Sequence, residues 1–184
     1  MASTKVYRQR TEFIAELLEK QFPPRRIRGL EIGVYKGDFS HYLLHRVPRL
    51  YMTMVDPYLQ YDEFKKRWSN RSWNALYARV CFKMALLKGR AVLLRMTSEE
   101  AAALYDGGFD FVFIDALHDY PHVKQDLELW EPRVAKGGIV SGHDYSMAPD
   151  AGGGGVIQAV DEYAAKIGVT PKFGADTVWY WIKE

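Results

Sequence analysis

The chain has 184 residues, of which 48% are hydrophobic and 26% are charged, and its formal net charge is +2. This length suits one domain over residues 1–184 that buries its core without disulfides or metals. The single cysteine, Cys81, excludes an internal disulfide and a cysteine-based zinc site. No apolar run is long enough to span a membrane, and the charged N-terminal residues lack the apolar core of a secretion signal. We therefore expect a cytoplasmic protein with no membrane partner.

Charge is distributed unevenly along the chain. Residues 1–95 contain 19 Lys and Arg against 8 Asp and Glu, whereas residues 96–184 contain 6 against 15. A basic half can attract anionic ligands or nucleic acid. A bipolar surface without an assigned partner explains the same asymmetry, and we favour that simpler interpretation.

The first half of the chain alternates short apolar runs with helical periodicity. Apolar spacing predicts a helix over 11–21, within an N-terminal helical region at 1–24 that Pro23 and Pro24 end. The pattern then predicts, in chain order, a strand at Ile27–Ile32, a helix at 38–46, a strand at Leu50–Val55, an irregular or partly helical segment at 58–71 and a helix from Trp73 onward.

The second half continues this alternation and ends in a hairpin. It predicts a strand at Ala91–Met96, a helix at 98–105, a strand at Phe109–Ile114, a helix at 121–131, a strand at Ile139–Ser141 introduced by Gly137-Gly138, a loop at 146–155, a helix at Val156–Ile167 and two antiparallel strands near 170–173 and 177–182. Five β/α alternations predict an α/β fold, with one Rossmann-like domain, a mostly parallel sheet and helices on both faces.

The first two strand ends point to a nucleoside ligand, because such sheets bind ligands beyond the carboxyl ends of their strands. Gly33 and Gly37 form a Gly-x-x-x-Gly turn, preceded two residues upstream by Glu31. This is not the dinucleotide fingerprint, and an ordinary tight turn would have the same pattern. The second strand ends at Asp56, which can accept hydrogen bonds from ribose hydroxyls or simply shape the turn before Pro57. A carboxylate there argues against NADP, because it repels a 2′-phosphate.

Acids and histidines follow two further strands of the predicted sheet. Asp115 and His118 come after the fourth strand, and His143 and Asp144 come after the fifth. Asp115, His143 and Asp144 could bind a divalent cation such as Mg²⁺, and the imidazole of His118 suits a general base. Single groups of this kind are mostly turn formers and helix caps. Two such clusters at one ligand crevice favour a functional site.

Two other polar features have local explanations. Ser98 can hydrogen-bond an adenine edge, but it can equally cap the helix that begins there. His118 and His122 have the spacing of a zinc-protease motif, which requires both histidines on one helical turn. Pro121 lies between them and starts a new helix, so that motif is not expected to form.

The motifs GLEIGVYKGDFS, TMVDPY, FDFVFIDALHDYPHVKQDLELWEPRVAKGGIVSGHDY and GVIQAVDEYAAK together resemble those of class I S-adenosylmethionine (SAM)-dependent methyltransferases. More narrowly, the chain is similar to the small-molecule group that includes macrolide sugar O-methyltransferases and cephalosporin-hydroxylase-like proteins. The resemblance covers residues 25–184. Its most specific part is the Phe-Ile-Asp-x-x-His-x-Tyr stretch, followed by Gly-Gly and then His-Asp-Tyr.

This resemblance implies a seven-stranded sheet with a reversed last strand. It also implies O-methylation of a small hydroxylated molecule, with SAM as cofactor and S-adenosylhomocysteine (SAH) as product. Glu31, Gly33 and Gly37 would hold the methionine end and Asp56 the ribose, with Asp115 near the sulfonium. The adenine would lie against Tyr58, or against Thr97 and Ser98. The remaining residues of the implied cofactor-binding set are Val34, Tyr35, Pro57, Ala116, Leu117 and His118.

The same resemblance implies a metal site and a base. Many relatives bind Mg²⁺ at the positions matched by Asp115, His143 and Asp144, and His118 matches the base of some metal-using relatives. Relatives often have Asp-Asp or Asp-Asn where this chain has His143-Asp144. A histidine lowers the negative charge of the site, so Mg²⁺, another divalent cation or no metal all stay open. The candidate catalytic residues are His118, Asp115 and His143.

Several features leave the acceptor and the partners open. Residues 58–89 could cap the site, since 61–95 carry 9 Lys and Arg against 2 Asp and Glu among several aromatic residues. Trp68 and the Lys65-Lys66-Arg67 run are candidate substrate contacts, whereas Trp73, Tyr77, Val80 and Met84 fit a core stripe. The glycine run Gly152–Gly155 in the loop 146–155 suits either a mobile lid or a slack surface loop.

Two alternative functions remain. The basic segment at 61–95 could serve an RNA or nucleotide methyltransferase, because cations meet phosphates and aromatic rings stack on bases. A SAM-binding protein without turnover is the other alternative. A homodimer is compatible with the exposed aromatic residues, and a nicotinamide oxidoreductase is disfavoured because the third glycine of its fingerprint is missing.

Overall fold

The computed structural model describes residues 2–59, 70–87, 89–148 and 154–184, without the side chains of 2–8 and 70–71. The strands are β1 (Ile27–Ile32), β2 (Leu50–Val55), β3 (Ala91–Leu94), β4 (Phe109–Ile114), β5 (Val134–Gly142), β6 (Lys172–Phe173) and β7 (Trp179–Ile182). The helices are α1 (Ala2–Gln21), α2 (Asp38–Arg46), α3 (Asn70–Ala85), α4 (Ser98–Ala102), α5 (Tyr120–Trp130) and α6 (Gly155–Ile167), with a 3₁₀ turn at Glu131–Arg133.

All seven strands form one sheet in the order β3-β2-β1-β4-β5-β7-β6. β1 to β5 pair in parallel, and β7 pairs antiparallel with both β5 and β6. The predicted α/β fold, with its mostly parallel seven-stranded sheet and reversed last strand, is confirmed. The strand order reverses between β1 and β4, which is where such sheets open a ligand crevice.

The central strand β4 is buried at all six positions, because helices cover both faces of the sheet. Its one charged residue, Asp110, is paired. Arg25 donates to both carboxylate oxygens at 2.8 and 3.0 Å, and the backbone N–H of Arg28 donates to Oδ2 at 2.8 Å. These three donors offset the cost of placing a carboxylate inside the sheet.

Two hydrophobic cores lie on opposite faces of the sheet. One joins α1, α2 and α3 to the sheet, and the other joins α4, α5 and α6. The predicted core stripe on α3 is confirmed, because Trp73, Val80 and Met84 are buried and Tyr77 packs against them. None of the described helices is both long and apolar enough to cross a membrane.

Several predicted boundaries were wrong. β5 begins at Val134, so Gly137-Gly138 lies inside the strand, where its pairing with β4 is irregular, and not before it. β3 ends two residues early at Leu94, and α4 ends at Ala102. Residues 60–69 of the predicted cap and 149–153 of the predicted loop lie outside the described part of the chain.

The predicted N-cap of α4 was wrong by one residue. Thr97 is the cap, and its side chain accepts a hydrogen bond from the backbone N–H of Glu100 at 3.2 Å. In return the Glu100 side chain accepts from the backbone N–H of Thr97 at 2.8 Å. This reciprocal capping box satisfies two N–H groups that the first turn leaves open. The hydroxyl of Ser98 is therefore free to bond elsewhere.

Candidate functional site

A cavity of about 990 Å³ opens at the carboxyl ends of the parallel strands. This volume lies within the range of small-molecule and cofactor sites. Its walls come from the turns after β1, β2, β4 and β5, from the beginning of α4 and from one face of α5. Most of the predicted site residues line it, namely Glu31, Gly33, Val34, Tyr35, Asp56, Pro57, Thr97, Ser98, Asp115, Ala116, Leu117, His118, His143 and Asp144.

Asp56 ties the turn after β1 to the end of β2. Its Oδ2 accepts hydrogen bonds from the backbone N–H groups of Val34 at 3.0 Å and Tyr35 at 2.9 Å, and its Oδ1 accepts from Tyr58 at 2.8 Å. Burial raises the pKa of Asp56, and these three donors partly oppose that shift. A carboxylate has about four acceptor positions, so Asp56 can accept one more bond from a ligand hydroxyl.

Gly33 allows the turns after β1 and β4 to touch. Its φ is +86°, and a Cβ at this position would lie 2.2 Å from the backbone oxygen of Asp115. The contact continues the pairing of β1 with β4, because the N–H of Asp115 donates to Ile32 at 2.8 Å. Only glycine permits this close backbone approach.

A buried carboxyl group lies beside that turn. Glu31 is 1% exposed, and the hydroxyl of Ser40 donates to it. Burial raises the pKa of Glu31 well above its ordinary value, more than the Ser40 hydrogen bond lowers it. Because Glu31 lines the cavity, a cationic ligand group would restore its negative charge.

His118 lies between two acids on the other side of the cavity. Its Nε2 is 2.9 Å from Oδ2 of Asp144 and 3.7 Å from Oδ1 of Asp115. Burial alone would lower the pKa of His118, but the hydrogen bonds and charges of the two acids outweigh it and raise that pKa to about 10. The two histidines likewise outweigh burial at Asp144 and hold its pKa well below its ordinary value. These shifts favour an imidazolium form of His118 beside the carboxylate of Asp144.

His143 supports the same cluster from behind. Its Nδ1 lies 3.2 Å from Oδ2 of Asp144 and 3.9 Å from Oδ1 of Asp115. Its Nε2 lies 3.4 Å from both Oδ2 of Asp176 and Oγ1 of Thr177. Burial opposes the charged imidazole, but Asp144 and Asp115 outweigh it and raise the pKa of His143. Asp176 and Thr177 belong to no recognisable motif, so they were not predicted.

Three side chains of this cluster could hold a cation. Donor atoms of Asp115, His118 and Asp144 lie within 4.8 Å of one another. The predicted ligand set had His143 with the two acids, and its Nδ1 lies at similar distances from them, 3.2 Å from Asp144 and 3.9 Å from Asp115. Two carboxylates and an imidazole fit a divalent ion, and the nitrogen donor suits borderline metals better than Mg²⁺.

Gly37 and Tyr58, two of the predicted cofactor contacts, do not line the cavity. Gly37 is the N-cap of α2 with a φ of 66°, and a Cβ there would lie 2.9 Å from Val80 and Met84. Tyr58 is 1% exposed, and its ring packs in the core 5.4 Å from that of Tyr77. Both residues shape the walls from the core side. The candidate substrate contacts Trp68 and Lys65-Lys66-Arg67 lie outside the described residues.

Helices contribute lining residues that the sequence analysis missed. Arg10 of α1 reaches the cavity, where its Nη1 lies 3.2 Å from Oδ2 of Asp115. On α5, Asp126 is 4% exposed and lines the cavity together with His122 and Gln125. Helical spacing on α5 could have indicated that these three residues share a face. Nothing in the sequence indicated Arg10.

Comparison with solved structures shows the same fold. The structure of the O-methyltransferase TomG from Streptomyces achromogenes in complex with SAM is 16% identical, has a TM-score of 0.65 and covers 95% of this chain and 80% of its own. A Bacillus cereus O-methyltransferase in complex with SAH is 12% identical, with a TM-score of 0.64 and the same coverage of 95% and 80%. A Staphylococcus aureus protein provisionally named caffeoyl-CoA O-methyltransferase is 16% identical, has a TM-score of 0.71 and covers 95% and 82%.

Sequence comparison identifies the family. No curated protein matches the chain significantly. A family model described as "Methyltransferase domain" matches residues 30–145. This segment is more than half of the chain and runs from β1 to the turn after β5, so it includes the strand ends that build the cavity. By this match, and by a fold shared with solved O-methyltransferases, the chain belongs to the methyltransferase-domain family.

Proposed function

We propose that this methyltransferase transfers the methyl group of SAM to a hydroxyl oxygen of a small molecule and releases SAH. The observation that carries the proposal is one cavity in which the glycine turn after β1, Asp56 and the Asp115–His118–Asp144 cluster meet. The fold shared with O-methyltransferase structures supports it.

The cavity suits SAM by size and by charge. Its volume of about 990 Å³ accommodates a nucleoside-sized ligand and a small acceptor. Glu31, Asp56 and Asp115 surround it with carboxyl groups, which favour a ligand that carries a sulfonium and an amino group. In this pose Asp56 accepts a hydrogen bond from the ribose, and Asp115 lies beside the reacting end.

The chemical step requires positioning and removal of one proton. The acceptor oxygen forms a bond to the methyl carbon as the carbon–sulfur bond breaks, and its hydroxyl proton leaves to a base. An enzyme promotes such a step chiefly by holding the two reactants in line. The cavity walls hold them, and the Asp115–His118–Asp144 cluster receives the acceptor hydroxyl.

His118 becomes a base only when positive charge enters the cluster. With its pKa raised to about 10, it keeps its proton at neutral pH and donates to Asp144. His118 would accept the acceptor's proton once a sulfonium bound beside Asp115, because that positive charge would compete for the carboxylates and lower the pKa of His118. A divalent cation held by Asp115, His118 and Asp144 would occupy the imidazole nitrogen, and it would itself acidify a bound hydroxyl in place of that base.

A methyl-transfer assay tests this proposal. The purified chain is incubated with methyl-labelled SAM and a panel of catechols, sugars and other hydroxylated small molecules, with and without Mg²⁺ or Mn²⁺. We expect a labelled methyl ether and an equal amount of SAH. Transfer of the label to nitrogen, to carbon or to RNA, with none to a small hydroxylated molecule, would contradict the proposal.

A further inference from the structure

Asp126 is a buried carboxyl group in the cavity wall that the proposed mechanism does not use. It lies on α5, is 4% exposed and faces the same cavity as Thr97 and Ser98 of the neighbouring segment. Burying a carboxyl group is unfavourable unless its oxygens are hydrogen-bonded. The partners of its two oxygens therefore show what the group can do.

One oxygen of Asp126 is fixed by a short chain of hydrogen bonds. The indole N–H of Trp130 donates to Oγ of Ser98 at 2.8 Å, and the Ser98 hydroxyl donates to Oδ1 of Asp126. Because an indole can only donate, the hydroxyl hydrogen of Ser98 is directed at Asp126. Within the described part of the chain, Ser98 is the sole hydrogen-bond partner of this carboxyl group, so Oδ2 is left for a ligand.

The sheet order places Asp126 at one end of the cavity. Asp115 follows β4, Asp56 follows β2, and Ser98 begins the helix after β3, which is the edge strand. A ligand that extends from Asp115 past Asp56 therefore reaches Ser98 and Asp126 last. If the sulfur of SAM lies at Asp115 and its ribose at Asp56, its nucleobase lies at Asp126.

We propose that Asp126 determines the nucleobase specificity of the site by accepting a hydrogen bond from the 6-amino group of adenine. This inference rests on the proposed function, since it takes SAM as the ligand. A 6-amino group presents N–H donors, whereas a 6-oxo group presents oxygen lone pairs that repel a carboxylate oxygen. A site built to accept from an amine therefore selects against the oxo analogue.

The variant Asp126→Asn provides a stricter test of the inference, because the Ser98 hydroxyl orients the amide group. The amide oxygen takes the place of Oδ1, where it accepts from Ser98, and the amide nitrogen takes the place of Oδ2. In the opposite orientation Ser98 would accept from both Trp130 and the amide, and its own hydrogen would lose its acceptor. An N–H donor then faces the nucleobase where an acceptor stood. Asparagine has nearly the same shape as aspartate, so packing is retained while the preference reverses.

Calorimetric titration with SAH and with S-inosylhomocysteine, its 6-oxo analogue, tests the inference. We expect the wild type to bind SAH about 10- to 100-fold more tightly, which corresponds to one hydrogen bond lost and one buried group left unpaired. We expect Asp126→Asn to bind S-inosylhomocysteine more tightly than SAH. The double variant Ser98→Ala, Asp126→Asn frees the amide to rotate, and it should bind the two ligands about equally.

Glu128→Gln is the matched control. Glu128 lies on the same helix, but its carboxylate is exposed, pairs with Lys166 and does not line the cavity, so its variant should keep the wild-type preference. The inference is overturned if the wild type binds both ligands equally, or if a folded Asp126→Asn keeps the wild-type preference. If that variant does not fold, the ratio of the wild-type affinities for the two ligands is sufficient to test the inference. Failure of the wild type to bind either ligand overturns the proposed function itself, whereas equal binding of both overturns only the role of Asp126.

Discussion

Arg10 and Asp115 form an ion pair across the cavity, with Nη1 of the arginine 3.2 Å from Oδ2 of the aspartate. The pair joins α1 to the turn after β4, and the two side chains are only 14% and 15% exposed. The positive charge of Arg10 also opposes the rise in the pKa values of Glu31 and His143 without reversing it. The N-terminal helix thus supplies a cation to a cavity whose charged lining residues are mostly acids.

Removing this cation should strengthen metal binding. In Arg10→Gln, the guanidinium no longer competes for Asp115, so we expect the affinity for Mn²⁺ to rise by roughly tenfold, which is about 1.4 kcal/mol. Calorimetric titration of Mn²⁺ measures this directly. Arg79→Gln, which changes an exposed arginine on α3, is the control and should leave the affinity unchanged. An unchanged or weaker affinity in Arg10→Gln would show that Arg10 does not compete with the ion.

Replacing His118 should separate catalysis from cofactor binding. His118→Asn keeps a polar group beside Asp144 but removes the proton acceptor, so we expect kcat to fall by about 100-fold or more. The affinity for SAH should change by less than about threefold, because the glycine turn and Asp56 are untouched. Steady-state kinetics and calorimetry measure the two quantities. His45→Asn, an exposed histidine on α2, should affect neither.

The raised pKa of Asp126 predicts a specific dependence of stability on pH. Burial, opposed by the Ser98 hydrogen bond, raises its pKa to about 6, with Glu99 of α4 raising it slightly and His122 lowering it. A raised pKa means that the folded state holds the proton more tightly, so the contribution to stability is present below about pH 4 and lost as the pH rises through 6.

Asp126→Asn removes that titration. The free energy of unfolding of the variant, relative to the wild type, should therefore rise between pH 4 and pH 7 by about 2–3 kcal/mol. Urea denaturation of the ligand-free proteins at several pH values measures the difference. A difference that stays constant over this range would show that Asp126 ionises normally in the folded chain.

Gly33 should tolerate no side chain. Gly33→Ala combines a φ of +86° with a Cβ only 2.2 Å from the Asp115 backbone, so we expect a loss of about 2–4 kcal/mol in the free energy of unfolding, and loss of SAH binding. Gly168→Ala is the matched control, since its φ is +75° but no atom lies within 4 Å of the added Cβ. Gly168→Ala should lower the free energy of unfolding by only about 1 kcal/mol. Equal destabilisation by the two substitutions would mean that the close contact with Asp115 does not contribute to the loss of stability.

The sequence predicted best those elements whose boundaries are chemically sharp. β1, β2, α2 and β4 have the predicted bounds, because apolar runs or helical periodicity end there at glycine, proline or charged residues. Gly137-Gly138 misled the prediction of β5, since those glycines lie within an irregular part of the strand. The cap of α4 was misassigned although Thr97 and Glu100 have the spacing of a capping box.

The residues of the site also differ in how well the sequence predicted them. Residues directly after the strands line the cavity as predicted, because parallel strands end at one edge of the sheet. Arg10 and Asp126 were missed because they lie within helices, and only the packing of α1 and α5 brings them to that edge. The sequence predicted His143 beside Asp115 and Asp144, and side-chain direction brings His118 to the same two acids. A sequence motif does not contain that information.

Calorimetric titration of the chain with SAH tests the central claim most directly. We expect micromolar binding to the wild type and to Asp106→Ala, which removes an exposed carboxylate away from the cavity. Asp56→Ala should abolish it, because the variant loses both the ribose acceptor and the hydrogen bonds that hold the turn after β1. Absence of SAH binding to the folded wild type would contradict the assignment as a SAM-dependent methyltransferase.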